Sequence, residues 1–467
     1  MVREFQAIVM AGGRGSRMTE LTAGRPKCLL PIGNKPMVWY PLQLLERTGI
    51  KDTILVVVEH IKSDVQMALE PCGLKIRLDI VSIPAAEDWG TADTLRFLSD
   101  RIKSDVLIVS CDMITDMSLY PVLDVFRKHS AGIVALFFHP QPSDIASVTP
   151  GPKTKQKPER DLVGLDTETS RLVFLASISD FDDTVSMPRR LLRKHPHISM
   201  FSQLTDAHLY VIRKWVIDYL AYEKSFSTLK GEMISYIIKK QSSRLNTARK
   251  DDDINTSLDG DKKDLFHFAQ EDTLVHMIRE LSNYNDHTGD MKPTYHGDPV
   301  RCYAFLAPLD KFGIRTNTVA MYCDINRKIK ERWESVTGGC QLVPLHPTSD
   351  IKSTQMDDSC VVGEHSSIAE KTSIKSCNIG AHCHIEPKVR LTNCILMNGV
   401  KIREGCVLSN CVLCDEVEVC KNSELKDCLV GSHHTVAAEG KLSPESLRID
   451  LNGIPTELII ILRELDV

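Results

Sequence analysis

The residues best suited to chemistry lie in AGGRGSRM, residues 11–18, directly after the first apolar run. Gly12, Gly13 and Gly15 free the backbone so that successive N–H groups can turn toward an anion. Arg17 and Lys27 supply the charge to neutralise a triphosphate. No GK[ST] follows, so this is not a Walker loop, and Met18 takes the third-glycine position of a dinucleotide fingerprint. A glycine-rich turn also serves any chain reversal at this point, so the loop reads either as a nucleotide site or as a retained fold element. Asp112, in SCDMITD (110–116), closes a buried-looking strand at its carboxyl end, where α/β sheets bind ligands.

Other candidate groups read as structural. His195, His197 and His208 have no carboxylate or cysteine at ligand spacing, and His382 and His384 flank Cys383, so both groups are expected at the surface. Cys411 and Cys414 form a CxxC pair, but Cys411 belongs to a regular ladder and Cys414 faces elsewhere, so no metal is expected there.

The elements that would carry the loop alternate. EFQAIVMA, TILVVVE and DVLIVSC are short aliphatic strands, and VWYPLQLLERTG and TADTLRFLSDRI have helical periodicity. That order predicts βαβ units around a mixed, mostly parallel sheet over residues 1–330. Two polar stretches, 149–160 and 241–263, are expected to be mobile surface loops rather than RNA contacts.

A second region starts near residue 340, after Gly338 and Gly339. Cys360, Cys377, Cys394, Cys411 and Cys428 recur every 17 residues, each followed two residues later by Val362, Ile379, Leu396, Leu413 or Val430. Further aliphatics at Ile368 and Ile374, Ile385 and Leu391, Ile402 and Leu408, and Val419 and Leu425 complete a 6+6+5 rhythm. This rhythm predicts a three-sided parallel β-helix over 343–438, with Ser366, Cys383, Val400 and Val417 as small inward residues on a second face. Leu345 and Ile351 fit an earlier, imperfect coil. The tail 439–467 ends in the apolar TELIIILRELDV, expected to cap the helix or dock on a partner.

Composition narrows the function classes. Lys and Arg number 57 against 62 Asp and Glu, a formal charge of −5 that offers no general attraction to nucleic acid or anionic lipid. No apolar run approaches the ~20 residues of a membrane span, and MVREFQAIVMAGG does not read as a signal peptide. Fifteen cysteines without that signal read as reduced thiols in the cytosol.

The run MAGGRGSRMTELTAGRPKCLLPIGNKP (10–36), with WGTADTL (89–95) and SCDMITD, resembles the signature of the nucleotidyltransferase superfamily, the sugar-1-phosphate pyrophosphorylases. The resemblance covers nearly the whole chain. It implies a Rossmann-like nucleotidyltransferase domain followed by a left-handed β-helix, base contacts from Gly90 and Thr91, and a Mg²⁺ ligand at Asp112. It also implies GTP or ATP at the loop. The family's Glu-Lys-Pro is replaced by Ala176 and Ser177, and DAHLYVIRKWV (206–216) lacks the family's Asn-Gly pair.

Within that superfamily, SCDMITDMSLYPVLDVFR, RKHPHISMFSQLTDAHLYVIRKWVIDYL, VRCYAFL and MYCDINRKI are similar to subunits of the translation initiation factor 2B complex, although Arg14 keeps the loop more enzyme-like. That likeness implies a regulatory or scaffold subunit, without catalytic residues or a required cofactor, paired with a longer homologous subunit in a decamer. An active guanylyl- or uridylyltransferase is the alternative.

Overall fold

The computed structural model describes residues 4–85, 89–140, 149–151, 160–181, 184–243, 263–270, 277 and 298–442. Most of the two polar stretches, and all of the tail after Leu442, lie outside these residues. The start of the second stretch departs from the expected surface loop. Gln241 is buried, with its carboxamide donating to the Leu172 carbonyl and accepting from the Cys302 N–H.

Seven strands form the main sheet: β1 (Phe5–Met10), β2 (Asp52–Val58), β3 (Arg77–Ile83), β4 (Asp105–Ser110), β5 (Ile133–Phe138), β6 (Thr205–Ile212) and β7 (Cys302–Leu306). Their order is β7-β5-β6-β4-β1-β2-β3. Strands β1 to β4 are parallel, β6 runs antiparallel to both neighbours, and β7 is parallel to β5. Ala7 and Val9 of β1 face one core while Ile8 faces the other, so an unbroken apolar run is the right sequence for a strand covered on both sides. The chain leaves β1 toward β2 and β3 and returns to its other side as β4. The strand order therefore reverses between β1 and β4, and the carboxyl ends of such strands are where α/β sheets form a ligand crevice.

Helix α1 (Thr91–Phe97) flanks the sheet, and a small antiparallel sheet of Asp161–Asp166, Leu172–Ser177 and Ile198–Phe201 stands beside it. Helix α2 (Val319–Thr337) joins the two regions. Thr318 caps its first turn and Gly338, at φ +68°, ends it. Its buried Tyr322, Ile325, Ile329, Trp333 and Val336 follow helical spacing, and Trp333 stacks on Trp39 at 5.7 Å.

Beyond α2 the chain forms a parallel β-helix of three stacks. Val362, Ile379, Leu396, Leu413 and Val430 pair in register, one coil apart. Left-handed corners recur at the same 17-residue interval, at His365, His382, Gly399, Glu416 and His433. The interior is Cys360, Cys377, Cys394 and Cys411 with the aliphatics, and Ser366, Cys383, Val400 and Val417 are buried as expected. Leu345 bridges to Val362 and Ile351 pairs with Ile368, forming the early coil, although Leu345 is exposed. A last strand, Lys441–Leu442, carries the stack past 438.

One face of the β-helix is covered. Ile395, Met397, Val412 and Cys414 join the core of the sheet domain. Cys414 is indeed turned away from the ladder, packed toward the Glu20 carbonyl at 3.9 Å. Arg25 bridges Asp415 at 3.0 Å. From α2, Arg327 donates to Asn393 and Asn410, each at 2.7 Å, and Asn326 meets Asn378.

Candidate functional site

The crevice is built around Asp112, which follows β4. Its carboxylate is 1% exposed and fully engaged. Lys27 Nζ lies 2.5 Å from Oδ2, Arg315 reaches both oxygens at 3.3 Å, and Ser110 Oγ donates to Oδ1 at 2.7 Å. Burial alone would raise the Asp112 pKa, but Arg315 and Lys27 hold it well below the usual carboxylate range. Asp112 raises Arg315 in turn, against the effect of burial.

A second cluster adjoins the first. Lys230 lies 2.6 Å from Asp161 and 3.6 Å from Asp206, and Tyr210 donates to Asp206 at 2.6 Å. Asp161 pairs in register with Ser177, on the segment where the superfamily's Glu-Lys-Pro is missing. His208 sits in an irregularity of β6 between Asp206 and Tyr210, at φ +49°. Burial, with Arg315 close by, brings its imidazole down to about 3, so it is neutral at physiological pH. Lys27, Arg315 and Lys230 thus balance Asp112, Asp206 and Asp161 without any ligand.

The glycine-rich loop leaves β1 where the Ala11 N–H still bonds to Val56. Of its glycines, Gly15 is the one with a backbone requirement: φ is +74° and a Cβ would lie 2.7 Å from Thr22 Cγ2. Gly12 is half-buried against Ile83, and Gly13 and Arg17 are exposed. The structure therefore turns Lys27 inward onto Asp112 and leaves Arg17 outside on the loop.

Gly90 and Thr91 are contacted by the chain's own Ser227–Leu229 segment, with Thr91 still exposed. A Cβ on Gly90 would lie 2.1 Å from the Ser227 carbonyl, so only glycine permits this approach. The same carbonyl accepts the Ala92 N–H at 2.9 Å, and Thr91 Oγ1 accepts the Leu229 N–H at 2.8 Å. Asp93 takes the Gly90 N–H and the Ser227 hydroxyl.

The Mg²⁺ implied for Asp112 fails a geometric test. Both oxygens face cationic or hydroxyl donors, and no group of three His, Cys, Asp or Glu among the described residues could hold a metal ion. Two histidines also depart from expectation. His195 is buried rather than at the surface, with Nδ1 2.7 Å from Asp166 Oδ2, because strand Ile198–Phe201 pairs across Asp166 and draws the preceding turn under it. His208 is largely enclosed in the crevice. His197, His382 and His384 are exposed as expected.

Sequence reasoning missed Arg315, Lys230, Asp161 and Asp206. Arg315 ends the strand Gly313–Arg315, which pairs with Met113–Thr115 just after Asp112, a pairing of segments about 200 residues apart. A lone arginine in KFGIRTNT was the available signal, and it named no partner.

Comparison with known proteins follows this division. Residues 6–146 match the nucleotidyl transferase family, and residues 348–442 match the left-handed β-helix domain of the eIF2B epsilon subunit. The translation initiation factor eIF2B subunit gamma of Caenorhabditis elegans is 36% identical over 248 residues, covering 51% of this chain and 59% of that protein. The gamma subunit of Schizosaccharomyces pombe is 28% identical over 384 residues, 80% of this chain and 72% of the relative. Over most of its length the chain is similar to eIF2B gamma subunits. By contrast, the mannose-1-phosphate guanyltransferase of Pichia angusta is 28% identical over 131 residues, covering 27% of this chain and 35% of that enzyme. The likeness to gamma subunits extends far beyond the first 146 residues, whereas the likeness to the transferase covers about a quarter of the chain. The β-helix is of the left-handed eIF2B type, and no helix among the described residues is long and apolar enough to cross a membrane.

Proposed function

We propose that this chain acts as a non-catalytic, gamma-type subunit of the translation initiation factor 2B complex. In this reading it pairs with the epsilon subunit and joins beta, delta and alpha subunits in the cytosol, without binding DNA or membrane. The complex exchanges GDP for GTP on translation initiation factor 2 and is inhibited when that factor's alpha subunit is phosphorylated.

The observation that carries the reading is the closed state of Asp112. Nucleotidyl transfer needs a carboxylate free to hold a metal, and cationic groups free to meet the developing charge on phosphate. Here Asp112 consumes Lys27 and Arg315, and Lys230 is spent on Asp161 and Asp206. The loop with Gly12, Gly13, Gly15 and the exposed Arg17 keeps backbone N–H groups and one cation suited to phosphate, so a GTP or ATP held without turnover belongs to the same proposal.

Native mass of the tagged chain from its own cells, with its partners identified, tests this directly. A hetero-oligomer containing a longer homologous subunit is the expected result. A homo-oligomer that exchanges pyrophosphate into a nucleoside triphosphate with a sugar phosphate would overturn it in favour of a transferase.

A further inference from the structure

The short helix Arg189–Lys194 divides its side chains sharply. Leu191 is buried and Lys194 is tied to Asp298, which fixes the helix on the domain. Arg189, Arg190 and Arg193 all face solvent, and none joins an ion pair among the described residues. Leu192, in their midst, is 50% exposed.

The nearby acids are already engaged. Asp298 serves Arg171 and Lys194, Asp166 serves His195, and Glu168 faces His197 at 3.8 Å. Arg189 and Arg193 stand at i,i+4, and Arg190 and Arg193 at i,i+3, spacings at which like charges destabilise a helix. In a chain of net charge −5, this is a local cationic surface with no acidic partner among the described residues.

We propose that this helix is a docking surface for an acidic segment of a protein partner. Carboxylates would be taken by the guanidinium forks of Arg189, Arg190 and Arg193, and an aliphatic side chain would cover Leu192. Residues 184–200 contain no Phe, Tyr or Trp on which a base could stack, which disfavours RNA. With Leu192 as its one exposed large apolar side chain, the helix offers too little apolar area to lie in a membrane interface.

The test uses the chain purified with the subunits that accompany it, and a fluorescein-labelled 16-residue peptide of Glu, Asp and Leu as probe. Binding that weakens as salt rises is expected. The triple variant Arg189→Glu/Arg190→Glu/Arg193→Glu should weaken it at least ten-fold and acquire binding to the matching Lys/Leu peptide. Leu192→Ser should weaken it about four-fold, the order of one methylene withdrawn from cover. All four side chains are exposed, so an unchanged thermal melt is expected; should the triple variant melt early, single reversals at Arg190 and Arg193 carry the same test. Equal binding of wild type and variants, no binding at physiological salt, or tighter binding of oligouridylate or phosphatidylserine vesicles lost in the same variants would each overturn the proposal. None of these outcomes depends on which complex the chain belongs to.

Discussion

Seventeen residues along the β-helix bring back the same environment, whereas in the crevice adjacent residues have unrelated surroundings. Ile368, Ile385 and Ile402 occupy equivalent positions, each fully buried and each paired in register with the next. In the crevice, Ser110 and Asp112 share a hydrogen bond while Cys111 between them lies in the hydrophobic core. The β-helix is held by many small repeated contributions from apolar burial. The crevice is held by a few charges that neutralise one another away from water. Damage to a repeat should therefore act through hydration and packing, and damage to the crevice through an unpaired charge.

The sharpest way to break the contrast is to put a charge in the repeat. Ile402→Asp should abolish folding of the β-helix, at a cost above about 4 kcal/mol, read as loss of soluble chain. Ile402→Ala should cost about 2–5 kcal/mol. If Ile402→Asp melts within a few degrees of wild type, the interior is not the dry core described.

In the crevice, Arg315→Ala should destabilise by about 3 kcal/mol in urea titration, because it leaves Asp112 with Lys27 as its single cationic partner. The double variant with Asp112→Asn should lose less than the sum of the single changes. An additive result would mean that the two groups are not coupled. The same clamp predicts a pH dependence. Asp112 titrates below its unfolded value of about 3.9, so its contribution is present above that value and is lost as the pH falls toward the folded pKa. Wild type should therefore lose more stability than Asp112→Asn between pH 5 and pH 2. Parallel curves would contradict the clamp.

Two glycines sharpen the comparison inside the sheet domain. Gly90→Ala should cost about 1–3 kcal/mol because its Cβ meets the Ser227 carbonyl. Gly13→Ala, with open space around it, should fall within about 0.5 kcal/mol of wild type. Equal melting temperatures for the two would show that the Ser227 segment does not close on Gly90.

The smallest effect concerns the cysteines. All fifteen are free, and Cys340 is the exposed one. It should react first with a thiol reagent under native conditions, while Cys383, whose burial pushes the thiol up to about 11, should stay protected. Fast labelling of several cysteines at once would show that the coils open more readily than a continuous core allows.

How much was legible follows from how each part is built. The β-helix could be read because each coil answers the same local question, and Cys360, Val362 and their successors state the period outright. The sheet was legible wherever a strand is covered on both faces, as at EFQAIVMA. His195 was misread because its partner Asp166 arrives through strand pairing 29 residues away, and Arg315 went unnoticed because nothing local distinguishes it from a surface arginine.

The sequence by itself determined the two-part architecture, the coil period, Cys360, Cys377, Cys394 and Cys411 as core residues and the place of the glycine-rich loop after the first strand. These depend on periodicity and on turn chemistry, which act between near neighbours. Only the tertiary structure decided what the crevice does with its charges. Lys27, Asp112, Asp161, Asp206, Lys230 and Arg315 come from separate segments, and the interaction of two charges depends on their distance and on the water between them. Neither quantity exists until the chain has folded.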